Sequence, residues 1–592
     1  MGLTCLCVLL MWFSCVLSAR LHYDARVKLT DQGIIWLNFE HNHRNIVKLV
    51  RSSGFIWAGG SDILYSINTA LNSKPKQVKL PAKNECKDKS DCTYNISLLK
   101  EGANGSTLFL CRTNMGSTMC YHMASNYSLT DPFKIGYELD INEPSLFIDN
   151  MLYFTKSDMG LYRINSMNTQ AIWPQSTQTE LKFVKLIAGT GRNQDKVYSF
   201  FTEKHKSASK DLGSNLWIPQ VSQSCMNDKG GPKDELQSSW TSMIYARLFC
   251  GDKERGYHFT QLIDVDTVEK DNDMKIYGLF RNYWNMSAVC VYNMTEISNV
   301  FNSFVFKSST KHLVNHQPGM CVSDSTRLSS DTLKFMKDRP EMENWVMPEN
   351  GPLLFLHRHY THIQVDRLPS HTVLFLALES GGVHKVLEER VQNGVFVIAE
   401  FQPFPQGTHI TSMLLDRSPK HLYVSSGNEL VQIDLQRCEV YGNDCNACVL
   451  SRDPYCIWNG LQCAPAKENS IQDHPYCMPE VAKTKTELSA TASVQTIPES
   501  ARTFLLCQII SYHATYYWYH GNTREECVHT DAGCLYLIES MNATHDGLYR
   551  CESSEGDYKR TVIQYELRMS GSQVLSVTPI VLLLLTMSHL LL

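Results

Sequence analysis

Six cysteines lie within residues 438–477, in the order C-x6-C-x2-C-x7-C-x6-C-x13-C. Their thiols are suited to structural disulfide bonding, to redox exchange or to metal ligation. Cys445-x-x-Cys448 alone would fit a redox dithiol or half of a zinc site. So short a segment buries little core, and four further cysteines surround the pair, so we expect a module held by disulfides. The sequence leaves open which of the fifteen ways of pairing six cysteines is used.

The segment LHRHYTHI contains a second group with ligand chemistry. His357 and His359 would share one face of a strand, and His362 follows them. Two imidazoles on one face can bind a metal, but no cysteine or carboxylate accompanies them in the segment. We therefore interpret these histidines as solvated residues on a strand rim, with a pH-sensitive contact as the alternative.

Signatures of catalysis are missing from the sequence. It has no G-x-S-x-G elbow, H-E-x-x-H motif, P-loop or G-x-G-x-x-G fingerprint. The chain is 43% hydrophobic and 19% charged with a net charge of −5, which gives no reason to expect nucleic-acid binding. The segment KHKSASK (204–210) is read as a solvated loop, or alternatively as a basic face for glycosaminoglycans or an acidic receptor. The sequence thus predicts neither an enzyme nor a cofactor or metal site.

The two ends of the chain predict export to the cell surface. Residues 1–19 are apolar and end in small residues, as in a secretory signal peptide. Its removal would take away three of the 21 cysteines and leave an even number for pairing. Residues 574–592 are apolar and follow the small triplet at 570–572, which favours a GPI-anchor signal with attachment at Ser570. A single membrane span and a soluble product are the alternatives.

Sequons for N-glycosylation support export. The acceptor asparagines of the N-x-S/T triplets are Asn95, Asn104, Asn126, Asn285, Asn293 and Asn542.

Residues 20–436 contain many short β-type runs separated by turns. A loosely repeated unit of strand, tight turn and strand appears at 54–68, 146–165, 373–387 and 421–435. Antiparallel sheets repeated around an axis explain this pattern, since radial repetition leaves few exposed edges. We expect a β-propeller, with a large β-sandwich as the alternative.

The segment after the cysteine-rich module predicts an immunoglobulin-like sandwich. Cys507 is followed eleven residues later by Trp518, and Tyr549 precedes Cys551 by two residues. A tryptophan packed on an inter-sheet disulfide and a tyrosine two residues before its second cysteine are typical of this fold.

With these observations in place, the chain resembles the semaphorin family. The order of a propeller, a plexin–semaphorin–integrin (PSI) module and an immunoglobulin domain is the plan of that family. The stretches that carry the resemblance are DKVYSFF (195–201), SQSCMNDKGG (222–231), ARLFC (246–250), SAVCVY (287–292), QPGMC (317–321) and DPYCIW (453–458). The segment HATYYWYH (513–520) and the apolar C-terminal tail are similar to class 7 semaphorins in particular.

The resemblance implies a mainly β fold with a seven-bladed propeller. The expected order is a signal peptide (1–19), the propeller (20–436), the PSI module (437–478), a linker (479–500), the immunoglobulin-like domain (501–568) and the anchor signal (569–592). It also implies the disulfide pairs Cys86–Cys92, Cys111–Cys120, Cys225–Cys321, Cys250–Cys290, Cys438–Cys456, Cys445–Cys477, Cys448–Cys463, Cys507–Cys551 and Cys527–Cys534.

For function, the resemblance implies a GPI-anchored cell-surface ligand that dimerises through its propeller and clusters plexin-type receptors, plexin C above all. Such ligands control axon growth, cell migration, adhesion and immune-cell responses. β1 integrins are a further implied partner, although the Arg-Gly-Asp tripeptide that they recognise is absent, and the nearest fragments are Gly251-Asp252 and Arg255-Gly256. An adhesion protein or decoy that binds without clustering is the alternative from another class, and a plexin-like receptor is the alternative within related families.

Overall fold

A computed structural model describes the chain from residue 24 to residue 570. It leaves out 31–32, 38, 40–45, 47, 62, 70–73, 81–93, 103–105, 115, 166–170, 176–178, 206–215, 271–272, 308–316, 339, 356–357, 390–393, 419, 468–476, 478–491, 528 and 531–532. Several predicted features therefore lie outside the described residues, namely the signal peptide, Cys86, Cys92, Asn104, His357, residues 206–210 and the apolar tail.

Within the described residues, seven antiparallel sheets form the blades of a propeller, each numbered here along the chain. The fold class predicted from the sequence is confirmed. The strands, from the innermost outward, are Lys48–Ser52, Phe55–Gly60, Ile63–Asn68 and Lys76–Val78 in blade 1; Asn95–Glu101, Leu108–Asn114, Ser117–Met123 and Leu129–Ile135 in blade 2; Ser145–Ile148, Met151–Lys156 and Gly160–Asn165 in blade 3; Thr179–Ala188, Lys196–His205, Ile218–Cys225 and Ile244–Arg247 in blade 4; Gln261–Lys270, Asp273–Arg281, Ser287–Asn293 and Leu353–Phe355 in blade 5; Tyr360–Arg367, Thr372–Leu378, Val383–Glu389 and Gly394–Phe401 in blade 6; and Ser412–Asp416, His421–Ser425, Leu430–Asp434 and Ile34–Trp36 in blade 7.

The ring of blades is closed by the N-terminal part of the chain. Strand Ile34–Trp36 pairs antiparallel with Leu430–Asp434, so blade 7 combines residues from both ends of the propeller. Strand Val27–Leu29 adds in parallel to the outer strand of blade 6. Successive innermost strands lie beside one another around the ring, including blade 7 beside blade 1. Closure of this kind leaves only short sheet edges exposed.

Burial explains why the middle strands are almost continuously apolar. Strand Thr372–Leu378 (TVLFLAL) is buried at every position, because neighbouring blades cover both faces of its sheet. A fully buried side chain such as Phe375 stabilises the fold by about 1.5–3 kcal/mol relative to an exposed one.

Blade 5 carries a long insertion between its last two strands. It contains the helices Met294–Asn302 and Ser330–Lys337 and a 3-10 turn at Ser325–Arg327. Asn293 stands at the N-cap position of the first helix, and the Ser329 hydroxyl caps the second by accepting from the Thr332 amide. Two short elements lie elsewhere in the propeller, a 3-10 turn at Gly191–Asn193 and the hairpin Gly251–Asp252 with Tyr257–His258.

The cysteine-rich module follows blade 7 directly. Its elements are the 3-10 turn Cys438–Tyr441, the helix Cys445–Leu450 and the paired strands Cys456–Trp458 and Cys463–Pro465. The Asp444 side chain caps the helix by accepting from the Ala447 amide.

The last domain is the immunoglobulin-like sandwich that the sequence predicts. One sheet holds Ser493–Pro498, Tyr558–Ser570, Gly547–Glu555, Thr515–His520 and Thr523–Glu526, the other holds Thr503–Cys507, Gly533–Ile538 and His529–Thr530, and a 3-10 turn lies at Ala543–His545. Trp518 shares the core with the Cys507–Cys551 disulfide. No helix in the described part of the chain is long and apolar enough to cross a membrane.

The predicted boundaries of this domain need correction at both ends. Strand Ser493–Pro498 lies in the segment expected to be a linker (479–500), yet it pairs in parallel with the last strand. That last strand continues to Ser570, beyond the expected end at residue 568. Only Ile497 of the first strand is fully buried, so the segment reads as polar although it belongs to the sheet.

Candidate binding head and its junctions

The propeller and the cysteine-rich module meet at a buried ion pair. Lys385, on the third strand of blade 6, donates from Nζ to Asp453 Oδ2 at 2.7 Å and to the Leu435 carbonyl at 2.9 Å. The same carboxylate oxygen accepts from the Tyr441 hydroxyl at 2.8 Å. The side chains of Lys385 and Asp453 are only 2% and 3% exposed. Burial lowers the pKa of Lys385, and the opposite charge of Asp453 counteracts that shift.

Tyr455 makes the second contact between the two parts. Its hydroxyl donates to Asp366 Oδ2 of blade 6 at 2.5 Å, and its ring centre lies 4.2 Å from the Lys385 ammonium. Asp453 and Tyr455 both belong to the DPYCIW stretch, so that stretch fastens the module to the propeller. Residues of blades 6 and 7 and of the module share one hydrophobic cluster. We call the propeller and the module together the head.

Disulfide bonds staple the head and the last domain. The bonds formed among the described cysteines are Cys111–Cys120, Cys225–Cys321, Cys250–Cys290, Cys438–Cys456, Cys445–Cys477, Cys448–Cys463, Cys507–Cys551 and Cys527–Cys534. These are pairs that the resemblance implies, and Cys86–Cys92 lies outside the described residues. The abundance of disulfides is typical of a protein of the secretory pathway.

The immunoglobulin-like domain rests against the segment that precedes blade 1. Arg26 forms a two-pronged ion pair with Glu555, with Nε–Oε1 and Nη2–Oε2 distances of 2.9 and 3.0 Å. The Arg26 carbonyl accepts from the Tyr512 amide at 2.8 Å, and His513 Nε2 lies 2.6 Å from the Asp24 carbonyl oxygen. The Arg26 and Glu555 side chains are 4% and 14% exposed, so the pair is shielded from water. The domain is therefore held against the head through this junction.

We expect Glu555→Ala to loosen this junction, because it leaves the Arg26 guanidinium buried without its counter-charge. Losing one partner of such a pair costs about 2–5 kcal/mol. Small-angle X-ray scattering should show an increased maximum dimension as the domain moves away from the head. Glu539→Ala is the matched control, since Glu539 and its partner Arg502 are 65% and 61% exposed and lie at the end of the other sheet of the same domain. An unchanged scattering profile for Glu555→Ala would contradict the prediction.

The SQSCMNDKGG stretch builds a rigid loop at the base of the blade 5 insertion. The buried Asp228 carboxylate accepts from the amides of Gly230, Thr241 and Ser242 at 2.8–2.9 Å, and from the last two hydroxyls as well. Gly230 has φ +78°, and a Cβ there would lie 2.8 Å from the Ser238 amide nitrogen. The Cys225–Cys321 bond then ties this loop to the insertion. The role of Asp228 is structural, because its carboxylate is buried and accepts hydrogen bonds from within the loop.

One surface feature was not predicted from the sequence. Tyr283 and Trp284 are 78% and 73% exposed at the tip of the blade 5 turn 282–286, which we call the aromatic hairpin. The Asn282 side-chain oxygen accepts from the amides of Trp284 and Met286 at 3.0 and 2.9 Å. The tip is thus held in one shape, and large exposed side chains of this kind are typical of interaction sites. The sequence signal that could have revealed this exposed turn is the Tyr-Trp dipeptide between two turn-forming asparagines.

Two of the three histidines of LHRHYTHI, His359 and His362, lie among the described residues. His357 lies outside the described residues, and His359 Nδ1 lies 3.3 Å from Glu379 Oε2 at the surface. His362 is half-buried, and burial lowers its pKa. No group of three metal-ligating side chains occurs in the described part of the chain.

The predicted modification sites are placed as follows. Asn95, Asn126, Asn285 and Asn542 are exposed, Asn293 is half-buried, and Ser570 is half-buried at the end of the last strand, opposite Pro498.

Comparisons with known proteins match this architecture domain by domain. The chain matches the Sema domain over residues 260–417, the plexin repeat over 437–485 and the semaphorin-3/4/7A immunoglobulin-like domain over 489–578. It is 30% identical to human Semaphorin-7A over 87% of this chain and 82% of that protein. The chain belongs to the semaphorin family. It is also 29% identical to mouse Semaphorin-7A over 95% of this chain and 90% of the relative, so this semaphorin is most like class 7.

Solved structures agree on the fold of this semaphorin. Drosophila Semaphorin 2a has a TM-score of 0.68 at 18% identity and covers 93% of this chain and 100% of its own. Drosophila Semaphorin 1b, extracellular domains 1-2, has a TM-score of 0.61 at 23% identity and covers 76% and 95%.

Proposed function

We propose that this semaphorin is a cell-surface ligand that binds and clusters plexin-type receptors, with plexin C as the first candidate. The observation that carries the proposal is the semaphorin domain order on one chain, with the propeller and the cysteine-rich module fused into one head. A related structure, Drosophila Plexin A in complex with Semaphorin 1b, has a TM-score of 0.59 at 23% identity, covers 75% of this chain and 96% of its own, and supports a plexin as partner. Axon growth, cell migration, adhesion and immune-cell responses are the processes that such a ligand would control.

The mechanism would be geometric. Two heads paired through their propellers would hold two receptors at a fixed separation, and the shielded junctions at Lys385–Asp453 and Arg26–Glu555 would keep that separation constant. Binding energy would be concentrated in a few anchor side chains, for which the aromatic hairpin is our candidate.

A panel of plexin ectodomains tests the partner. We expect saturable binding of the purified glycosylated protein to one plexin class in surface plasmon resonance, and no binding to any plexin would overturn the proposal. Analytical ultracentrifugation tests clustering, because a protein that stays monomeric throughout the micromolar range would instead be a non-clustering adhesion protein or decoy.

We also propose that a GPI anchor at Ser570 holds the protein on the outer face of the plasma membrane. The last strand runs to Ser570 with its end paired to Pro498, so an anchor there would set the domain directly above the bilayer. Phosphatidylinositol-specific phospholipase C should release the protein from cells, and complete retention would argue for a membrane span instead. The five described sequons are proposed to carry glycans, and loss of mass on glycosidase treatment tests this.

We propose β1 integrin as a second partner. In the nearest fragment the Asp252 carboxylate accepts from the amides of Glu254 and Arg255 at 3.0 and 3.1 Å, so it is occupied within its own turn. Adhesion of β1-bearing cells to the immobilised protein, with Asp252→Asn as the comparison, would show whether this turn contributes.

A further inference from the structure

The immunoglobulin-like domain carries a continuous apolar surface on the outer face of its three-stranded sheet. Phe504 and Leu506 face outward at 55% and 40% exposure, because Leu505 between them is fully buried. Leu537 and Leu535 lie directly opposite them on the neighbouring strand, at 43% and 37% exposure. Residues directly opposite on one face have Cβ atoms about 4.5–5.5 Å apart, so the four form one surface. We call these four exposed side chains the apolar sheet patch.

The patch lies on strands without charge. The two strands that carry it, TFLLC (503–507) and GCLYLI (533–538), contain no charged residue. On the outer face of the other sheet, Glu566 stands directly opposite Leu548 and pairs with Arg568 at 2.9 Å. A lipid bilayer accepts an uncharged apolar face, whereas moving a charge into its hydrocarbon is costly. The patch side of the domain, rather than the side of Glu566, therefore suits contact with lipid.

The patch lies at the end of the domain that holds Ser570. The last strand runs to Ser570, which lies opposite Pro498. From Pro498 a turn leads into the strand of Phe504, and in that turn the Ala501 amide donates to the Pro498 carbonyl at 3.1 Å. Phe504 and its cross-strand neighbour Leu537 are thus the pair of the patch nearest to Ser570.

The junction with the head lies at the opposite end of the domain. Gly547 pairs with Leu567 near the end of the last strand, and its own strand runs nine residues from there to Glu555. Glu555 binds Arg26, as described above. Nine residues of strand span about 30 Å, so the length of the domain separates the head from the end that holds the patch.

We propose that the apolar sheet patch lies against the outer leaflet of the membrane and holds the domain on the bilayer. This inference rests on the proposed attachment at Ser570, which would bring Phe504 and Leu537 to the lipid surface. An apolar face rich in Phe and Leu enters the boundary between headgroups and acyl chains by about 5–10 Å, and its binding strengthens with the apolar area buried. The Arg26–Glu555 junction would then fix the height and direction of the head above the membrane.

A second copy of the chain could also cover the patch, but the available area favours lipid. An aromatic side chain buries about 150–250 Å², so four side chains that are 37–55% exposed bury at most about 450 Å². A stable protein–protein interface buries about 800 Å² on each partner. Contact with lipid needs less area, because the proposed attachment already holds the domain beside the bilayer and raises the effective concentration of the patch there.

Tryptophan fluorescence with brominated lipids tests the contact, using the full-length glycosylated protein on phosphatidylcholine vesicles. Phe504→Trp puts a fluorophore in the patch, and bromine on the upper acyl carbons quenches fluorophores at that depth. After subtraction of the wild-type signal, we expect about twofold or stronger quenching and a blue-shifted emission, since the ring would lie about 5–10 Å deep. Leu548→Trp is the matched control, because Leu548 is 48% exposed near the same end but on the other sheet, and it should stay unquenched.

The outcomes separate the contact from the attachment on which it rests. A protein that does not float with the vesicles would overturn both, whereas a protein that floats with an unquenched tryptophan at position 504 would overturn the contact alone. Equal quenching at positions 504 and 548 would show no preferred face and would also overturn it. A blue shift that needs no lipid and grows with protein concentration would assign the patch to a second copy instead. Unfolding temperatures of both variants should match the wild type, because both positions are about half exposed.

Discussion

Replacing Asp453 by alanine is expected to lower the free energy of unfolding of the head by about 3–5 kcal/mol. The change leaves the Lys385 ammonium buried with the Leu435 carbonyl and the Tyr455 ring but without a counter-charge, and it removes the acceptor of the Tyr441 hydroxyl. An unpaired charge in a site that is 2% exposed has no water to replace its partner. Differential scanning calorimetry should show a drop of roughly 3–5 °C in the unfolding temperature of the head.

Two further variants show whether the loss comes from the unpaired charge. Arg452→Ala is the matched control, because the ion pair of Arg452 with Glu389 also joins the module to blade 6. The Arg452 side chain is 52% exposed, and exposed ion pairs contribute about 1 kcal/mol or less to stability. The double variant Lys385→Met with Asp453→Leu removes both charges and should recover most of the stability. Equal unfolding temperatures for Asp453→Ala and Arg452→Ala would show that the buried pair has no special role.

This junction shows what the sequence could and could not predict. The six cysteines of residues 438–477 predicted a disulfide-stapled module from local spacing alone, because closely spaced cysteines in a short segment indicate crosslinks. Its contacts with the propeller could not be predicted from the sequence. Asp453 and Tyr455 bind Lys385 and Asp366, which lie 68 and 89 positions away and belong to no recognisable motif. The sequence predicted the module as a domain of its own at 437–478, whereas its hydrophobic cluster is continuous with that of blades 6 and 7.

The same distinction applies to the sheets. The hairpin repeats at 54–68 and 421–435 were predictable because each strand pairs with its neighbour in sequence. Strand Ser493–Pro498 was read as linker because its partner, Tyr558–Ser570, follows some sixty residues later and only one of its side chains is fully buried. Hydrophobic periodicity in a sequence reveals a strand only when one face of that strand is buried, and this strand has almost no buried face.

The candidate sites depend on exposure, which composition does not reveal. Tyr283 and Trp284 resemble core residues by type, and only the fold shows that they project into solvent. The topology, rather than a local motif, exposes them.

Receptor binding should fall by about 2 kcal/mol, roughly 30-fold, for each of Tyr283→Ala and Trp284→Ala, if the aromatic hairpin is the anchor we propose. Both side chains are more than 70% exposed, so their removal should leave the unfolding temperature unchanged and act on binding alone. Surface plasmon resonance against the plexin that binds the wild type measures the loss. Leu461→Ala is the matched control, because this 72% exposed apolar residue lies on the module rather than on the propeller.

The neighbouring sequon makes this test sharper. A glycan on Asn285 would stand beside the two rings, so Asn285→Gln should strengthen binding if the glycan crowds the hairpin and leave it unchanged if the glycan points away. Asn282→Ala adds a positioning test, because Asn282 is buried and holds the turn through the amides of Trp284 and Met286. It should weaken binding several-fold without removing either ring, since a loosened tip must be ordered again when the receptor binds. Wild-type affinity in the Tyr283→Ala/Trp284→Ala double variant would place the receptor contact elsewhere on the propeller.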